Sequence, residues 1–137
     1  MEVRSRTRKT AHFLERIGLA LAGASCGLFV AAHVARSNFE VLASTTAVLA
    51  MTCYGAIGFY LGIDIPPHAA FAGRTDPAEL FSAIGTFLAA TGAFVSVYSI
   101  VVDTDSHIVW TAIVWSCWLI GVTFQIVAGA IARLRAL

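Results

Sequence analysis

The stretch DPAELFSAIGTFLAATGAFVSVYSIVV, Asp76–Val102, decides how this chain folds. It opens with helix-start chemistry. Asp76 can accept hydrogen bonds from the free amides of a first turn, Pro77 suits the first helical position, and Glu79 favours the positive end of the helix dipole. From Leu80 to Val102 there is no Asp, Glu, Lys or Arg. At about 1.5 Å per residue, such a run crosses ~30 Å of hydrocarbon with a few residues to spare. Transmembrane strands are only ~9–11 residues long and alternate polar with apolar, a pattern this run lacks.

Three further runs share the property. Ile17–Ala35, Val41–Ile63 and Ile108–Ala132 are also free of ionised side chains. All are about as long as a membrane-spanning helix must be. The whole chain has 137 residues, 58% hydrophobic and only 12% charged. A soluble fold averages about 25% charged residues, and a water-exposed domain this apolar would aggregate. The expectation is one domain over 1–137: an all-α integral membrane protein of four transmembrane helices in an up-down-up-down antiparallel bundle. Residues 1–16 form a basic cytoplasmic arm ahead of the first span. That arm is long for a signal-peptide n-region and no clean Ala-x-Ala site follows, so the first span is expected to be retained.

Further boundaries can be read locally. Ser37-Asn38-Phe39-Glu40 fits a capping box before span two. Asp105-Ser106 can cap span four, and Pro66-Pro67 should stop span two near Asp64. Orientation follows from the basic residues. Arg4, Arg6, Arg8, Lys9, Arg16, Arg74, Arg133 and Arg135 fall in segments that share one side, leaving only Arg36 on the other. The positive-inside rule then makes both termini cytoplasmic, with the arm and tail also drawn to anionic lipid. Trp110 and Tyr98 belong near the outer interface.

Lipid supplies no hydrophobic force between helices, so small residues mark their contacts. In span three Ser82, Gly85, Ala89, Gly92, Ser96 and Ser99 recur at spacings of 3, 4, 3, 4 and 3, a heptad seam. Span four carries Cys117, Gly121, Gln125 and Gly129 at intervals of four, span one Gly23-xxx-Gly27 and span two Gly58-xxx-Gly62. The simplest role for these faces is packing within the bundle; docking of another subunit, through span three above all, is the alternative. Gln125 should hydrogen-bond a Ser or Thr of another helix, and Trp115 and Trp118 fill bulk against the glycine faces.

Chemistry-bearing residues are few. No carboxylate or basic side chain lies inside any span, which argues against proton-coupled transport but leaves open a passive pore. His33 and His107 fall at the same outer level, with Asp103 and Asp105 nearby, a candidate divalent-metal or haem site. The plainer reading is an interfacial His33 bonded to a loop carbonyl and a solvated His107; no His-x-x-x-His spacing supports the metal. Cys26, Cys53 and Cys117 lie ~13–18 Å from the outer span ends. They can be small helix-contact residues, or with Met51 a copper(I) set.

The functional expectation is a small non-enzymatic subunit of a bacterial inner-membrane complex. It needs no cofactor, and its partners are the lipid bilayer and other membrane-protein subunits or itself. A net charge of +1 gives no reason to invoke nucleic acid. The alternatives are an oligomeric channel or carrier for a small solute, and a metal- or haem-binding redox component.

Overall fold

A computed structural model describes residues 2–37, 39–63, 76–105 and 107–137; within the first helix, the side chains of residues 2–9, 11, 12 and 15 are not described. Every regular element among them is an α-helix: α1 Glu2–Arg36, α2 Thr45–Gly62, α3 Pro77–Val101 and α4 Ile108–Ala136. All four are long and apolar enough to cross a membrane, α1 through its segment Arg16–Arg36.

Three boundaries differ from the sequence reading. The basic arm is not separate from span one: the backbone is helical from Glu2 onward, so α1 runs on for ~50 Å. Helix α2 starts at Thr45, not Val41, and its N-cap is Ser44, whose hydroxyl oxygen accepts from the Ala47 amide at 3.2 Å. The Ser37–Glu40 capping box therefore does not form. The Ser37 hydroxyl instead donates to Val34 O at 2.7 Å, closing the end of α1, and Phe39–Ser44 is spent turning the chain. At α4 the N-cap is His107, whose Nδ1 accepts from the Val109 amide at 3.3 Å, in place of Asp105-Ser106. Ser106, Arg74, Pro66, Pro67 and His68 lie outside the described residues.

The start of α3 follows its sequence. Asp76 caps it by accepting from the Ala78 amide at 3.0 Å, with Pro77 at the start of the helix and Glu79 in the first turn. Its far end is a Schellman motif. The Thr104 amide donates to Ser99 O at 3.2 Å and the Asp103 amide to Ile100 O at 3.3 Å. The residue in the left-handed position is Asp103, φ 52°, where glycine is usual and a short polar side chain is tolerated.

The end of α2 gathers the other three helices. The last carbonyls of a helix have no partner of their own. Arg16 of α1 donates to Tyr60 O at 3.3 Å, Arg133 of α4 to Leu61 O at 3.1 Å, and the Ser82 hydroxyl of α3 to Gly62 O. Two of these donors are cations at the negative end of a helix dipole, where they stabilise it. Arg16 also lies over the Tyr60 ring, 5.4 Å from its centroid. Beside this junction Arg135 pairs with Asp76 at 2.6 Å. Arg16, Arg133 and Arg135 thus collect at one end of the bundle.

Helices α1 and α2 form one tight hairpin, α3 and α4 the other. Between hairpins α2 lies against α4 and α1 against α3, so the ring order is α1-α2-α4-α3. An up-down bundle that closed in chain order would set α1 beside α4; here they are a diagonal. Small residues set the approach. Gly23 faces Gly55, and Gly27 faces Met51 and Thr52. In the other hairpin Gly85 meets Gly121, where an added Cβ would sit 2.6 Å from Gly121 O. Backbones this close gain dispersion over their whole contact, the main attraction available in lipid.

The core is formed by Val30, Val34, Met51, Phe59, Ala89, Trp118 and Val122. Outside, the bundle is as apolar as within: Phe87 and Phe94 on α3 are 70% and 71% exposed, and Leu21, Leu49 and Ile113 also point outward. In water such a surface would drive aggregation. Against acyl chains it costs nothing.

Candidate functional site

The polar residues concentrate where α1 ends and α4 begins. Helix α1 delivers His33 and Arg36, three residues apart and so on one face. His33 is 3% exposed, and its Nε2 shares a hydrogen bond with the Thr111 hydroxyl of α4 at 3.4 Å. That bond crosses the bundle diagonal. Arg36 reaches the end of α3, donating to Ile100 O at 3.2 Å and pairing with the Asp103 carboxylate. With the pair largely exposed, it adds little stability, but it pins the Schellman turn to α1.

Between these groups lies a cavity of about 280 Å³, lined by His33, Arg36, Ser37, Ser99, Thr104 and Asp105, with Ile108 at its edge. It is the polar opening where the α3–α4 connection passes over the bundle. Ser99 and Thr104 come from the two ends of the Schellman motif. His33 and Asp105, both named from the sequence, reach this cavity. The other two candidate ligands are used elsewhere: Asp103 by Arg36, and His107 by the α4 cap. Among the described residues, no group of three or more His, Cys, Asp or Glu comes together as a metal donor set. Two imidazoles clamping a haem would need His107 to abandon its cap.

The packing residues fall on inner surfaces. Gly58 and Gly62 of α2 face Val122 and Gln125 of α4, Gly129 lies under Leu61, and Gly92 abuts Trp118. In the span-three seam Gly85, Ala89, Gly92, Ser96 and Ser99 are buried and Ser82 is half-buried. The sequence reading missed Gly55, which meets span one while Gly58 and Gly62 meet span four. Gln125 is fully buried and donates through Nε2 to the Thr86 hydroxyl at 3.0 Å, while its Oε1 has no hydrogen-bond partner among the described residues. Replacing it with Leu removes that bond, worth ~0.6 kcal/mol in membrane bundles, together with the orphaned oxygen. Gln125→Leu is therefore expected to stay within ~1 kcal/mol of the parent in detergent unfolding. Trp118 is fully buried and stands edge-on to Tyr54, with 6.1 Å between ring centroids.

The three cysteines are free and separate. Cys26 is half-buried in the α1 packing, Cys53 is exposed on the outside of α2, and Cys117 lies 3.9 Å from Leu88 O. The side chains of Arg4, Arg6, Arg8 and Lys9 are outside the described set; Arg133 and Arg135 cap and pair as given above.

These features define a small polytopic membrane protein: four apolar helices, a polar cavity at one end and a basic junction at the other. No protein-family model matches the chain, and neither a curated protein nor a solved structure shows significant similarity to it.

Proposed function

We propose that this chain is a non-catalytic accessory or assembly subunit of a bacterial inner-membrane complex. In this reading the helices run up-down-up-down with both termini cytoplasmic, and the polar cavity faces outward. The clustering of Arg16, Arg133 and Arg135 at the opposite end supports that orientation through the positive-inside rule.

One observation carries the subunit role. The outward face of α1 is built like a helix-docking surface. Gly18, Ala22, Ser25 and Ala32 are exposed along it at heptad positions, beside an exposed ridge of Leu14, Leu21 and Leu28. A Cβ added to Gly18 would meet nothing within 4 Å. Grooves of small residues beside leucine ridges let a second apolar helix approach closely; among the described residues nothing fills the stretch from Gly18 to Ser25, and the exposed Phe29 bounds it before Ala32. The middle of the span-three seam, Gly85, Ala89 and Gly92, which a pore reading would need facing an aqueous path, is packed on α4 instead.

The test is purification in a mild detergent followed by native mass spectrometry. A defined complex with a second membrane subunit, or with another copy of the chain, is expected. Ser25→Leu should dissolve it while leaving the unfolding midpoint within experimental error, because Ser25 bonds only Leu21 O of its own helix. A monomer with no co-purifying membrane protein would defeat the proposal.

A further inference from the structure

Two hydroxyls in the cavity at the α1–α3–α4 end present acceptors rather than donors. The Ser37 hydroxyl spends its proton on Val34 O, and the Thr104 hydroxyl turns its own toward Ser99 O at 3.4 Å. Both oxygens keep lone pairs for the cavity. Ser99 lines it too, is only 6% exposed, and its hydroxyl has no hydrogen-bond partner among the described residues. That hydroxyl opens onto the cavity, where a ligand can hydrogen-bond it.

The charges are arranged to match. Arg36 and Asp103 neutralise each other. Asp105 lines the cavity, stands exposed at its mouth and has no ion pair among the described residues. The lining therefore carries one cation, Arg36, and one unpaired carboxylate, Asp105. Arg36 uses two of its guanidinium donors, on Ile100 O and Asp103, and a guanidinium has five. The remaining three can reach an anionic oxygen at the rim. A group bearing an ammonium and, a few bonds away, a phosphate fits both features: the ammonium among Ser99, Ser37, Thr104 and Asp105, the phosphate against Arg36. The volume of about 280 Å³ leaves room for such a group. The cavity lies where the helices able to span a membrane end.

We propose that this cavity binds a phosphoethanolamine group. Its sources are the headgroup of an ethanolamine phospholipid or free phosphoethanolamine.

The experiment titrates the full chain, in detergent micelles, with phosphatidylethanolamine, phosphatidylcholine and phosphatidylglycerol of identical acyl chains, and separately with soluble phosphoethanolamine. Retained ligand is read by native mass spectrometry. Phosphatidylethanolamine should bind about tenfold tighter than the choline lipid, whose quaternary ammonium has no N–H to donate, and than the glycerol lipid, which has no cation. Asp105→Asn, a change at an exposed position, should remove most of that preference, because the carboxylate that accepts the ammonium N–H is gone. Ser99→Ala should reduce it about threefold. Binding of soluble phosphoethanolamine at the affinity of the lipid would identify a free ligand, and lipid binding alone would identify a headgroup; both uphold the chemistry. Equal binding of the three lipids, or an Asp105→Asn variant that keeps the ethanolamine preference, would overturn it.

Discussion

Gly23→Ala is expected to destabilise the protein by about 3 kcal/mol, the upper part of the range for overpacking a close contact. The added methyl would overlap Gly55 O and lie 2.7 Å from the Phe59 Cβ and 2.8 Å from the Gly55 carbonyl carbon. None of these atoms belongs to the far end of a flexible side chain. Relief requires the α1–α2 axes to separate, and that spreads the loss over the whole hairpin contact. Gly18→Ala, on the same helix, is the matched control. Its methyl would enter open space, so only the higher helix propensity of alanine remains, a change of at most ~1 kcal/mol in the stabilising direction. Both are read from reversible unfolding in mixed micelles, followed by far-ultraviolet circular dichroism. Equal stabilities for Gly23→Ala and Gly18→Ala would contradict the backbone proximity of α1 and α2.

Asp76→Ala should cost a similar amount, about 3 kcal/mol, by a different route. Asp76 is the N-cap of α3 and also the partner of Arg135 on α4. Loss of the cap accounts for ~1 kcal/mol. Removing one partner of a buried pair costs ~3–5 kcal/mol, discounted here because the Arg135 side chain is 23% exposed, against 6% for Asp76, and keeps a further interaction. Asp76→Asn separates the two: its amide oxygen still accepts from Ala78, so only the charge is lost and the expected cost is about half. The same micellar unfolding measures both. If Asp76→Asn proved as damaging as Asp76→Ala, the cap would contribute nothing and the α3 start would need another explanation.

The legible parts of the fold are those written in short segments. Asp76-Pro77-Ala78-Glu79 starts a helix because each residue meets the need of its own position, and α3 begins there. Ser37-Asn38-Phe39-Glu40 carries the same kind of signal but is consumed by the turn between α1 and α2. The spacing between two packed helices, not local propensity, decides how much chain that turn needs. His107 replaces Asp105 as the α4 cap for a similar reason: Asp105 lies beyond the Schellman turn of α3, at the cavity, and His107 is the residue that enters the helix.

The cavity was half visible. His33 and Asp105 stand out in the sequence as polar residues at a span end. Arg36 could have been added from its spacing to His33. Ser99 reads as one small residue of a packing seam, and Ser37 and Thr104 read as loop. Only the contact of α1 with the end of α3 puts them around one space, since that contact pairs residues more than sixty positions apart.

The stretch from Asp76 to Val102 and its three counterparts settle by themselves that the chain has four helices able to span a membrane, because length and lack of charge are local properties. The order of those helices around the bundle was beyond such reading. In a lipid-exposed bundle the outward face is as apolar as the inward one, so no amphipathic stripe marks the core; only the small residues do, and they do not name their partners. The tertiary structure chose: Gly23 with Gly55, Gly85 with Gly121, Gly62 with Gln125. Backbone shape, complementary over a whole helix length, selects among faces that hydrophobicity cannot distinguish.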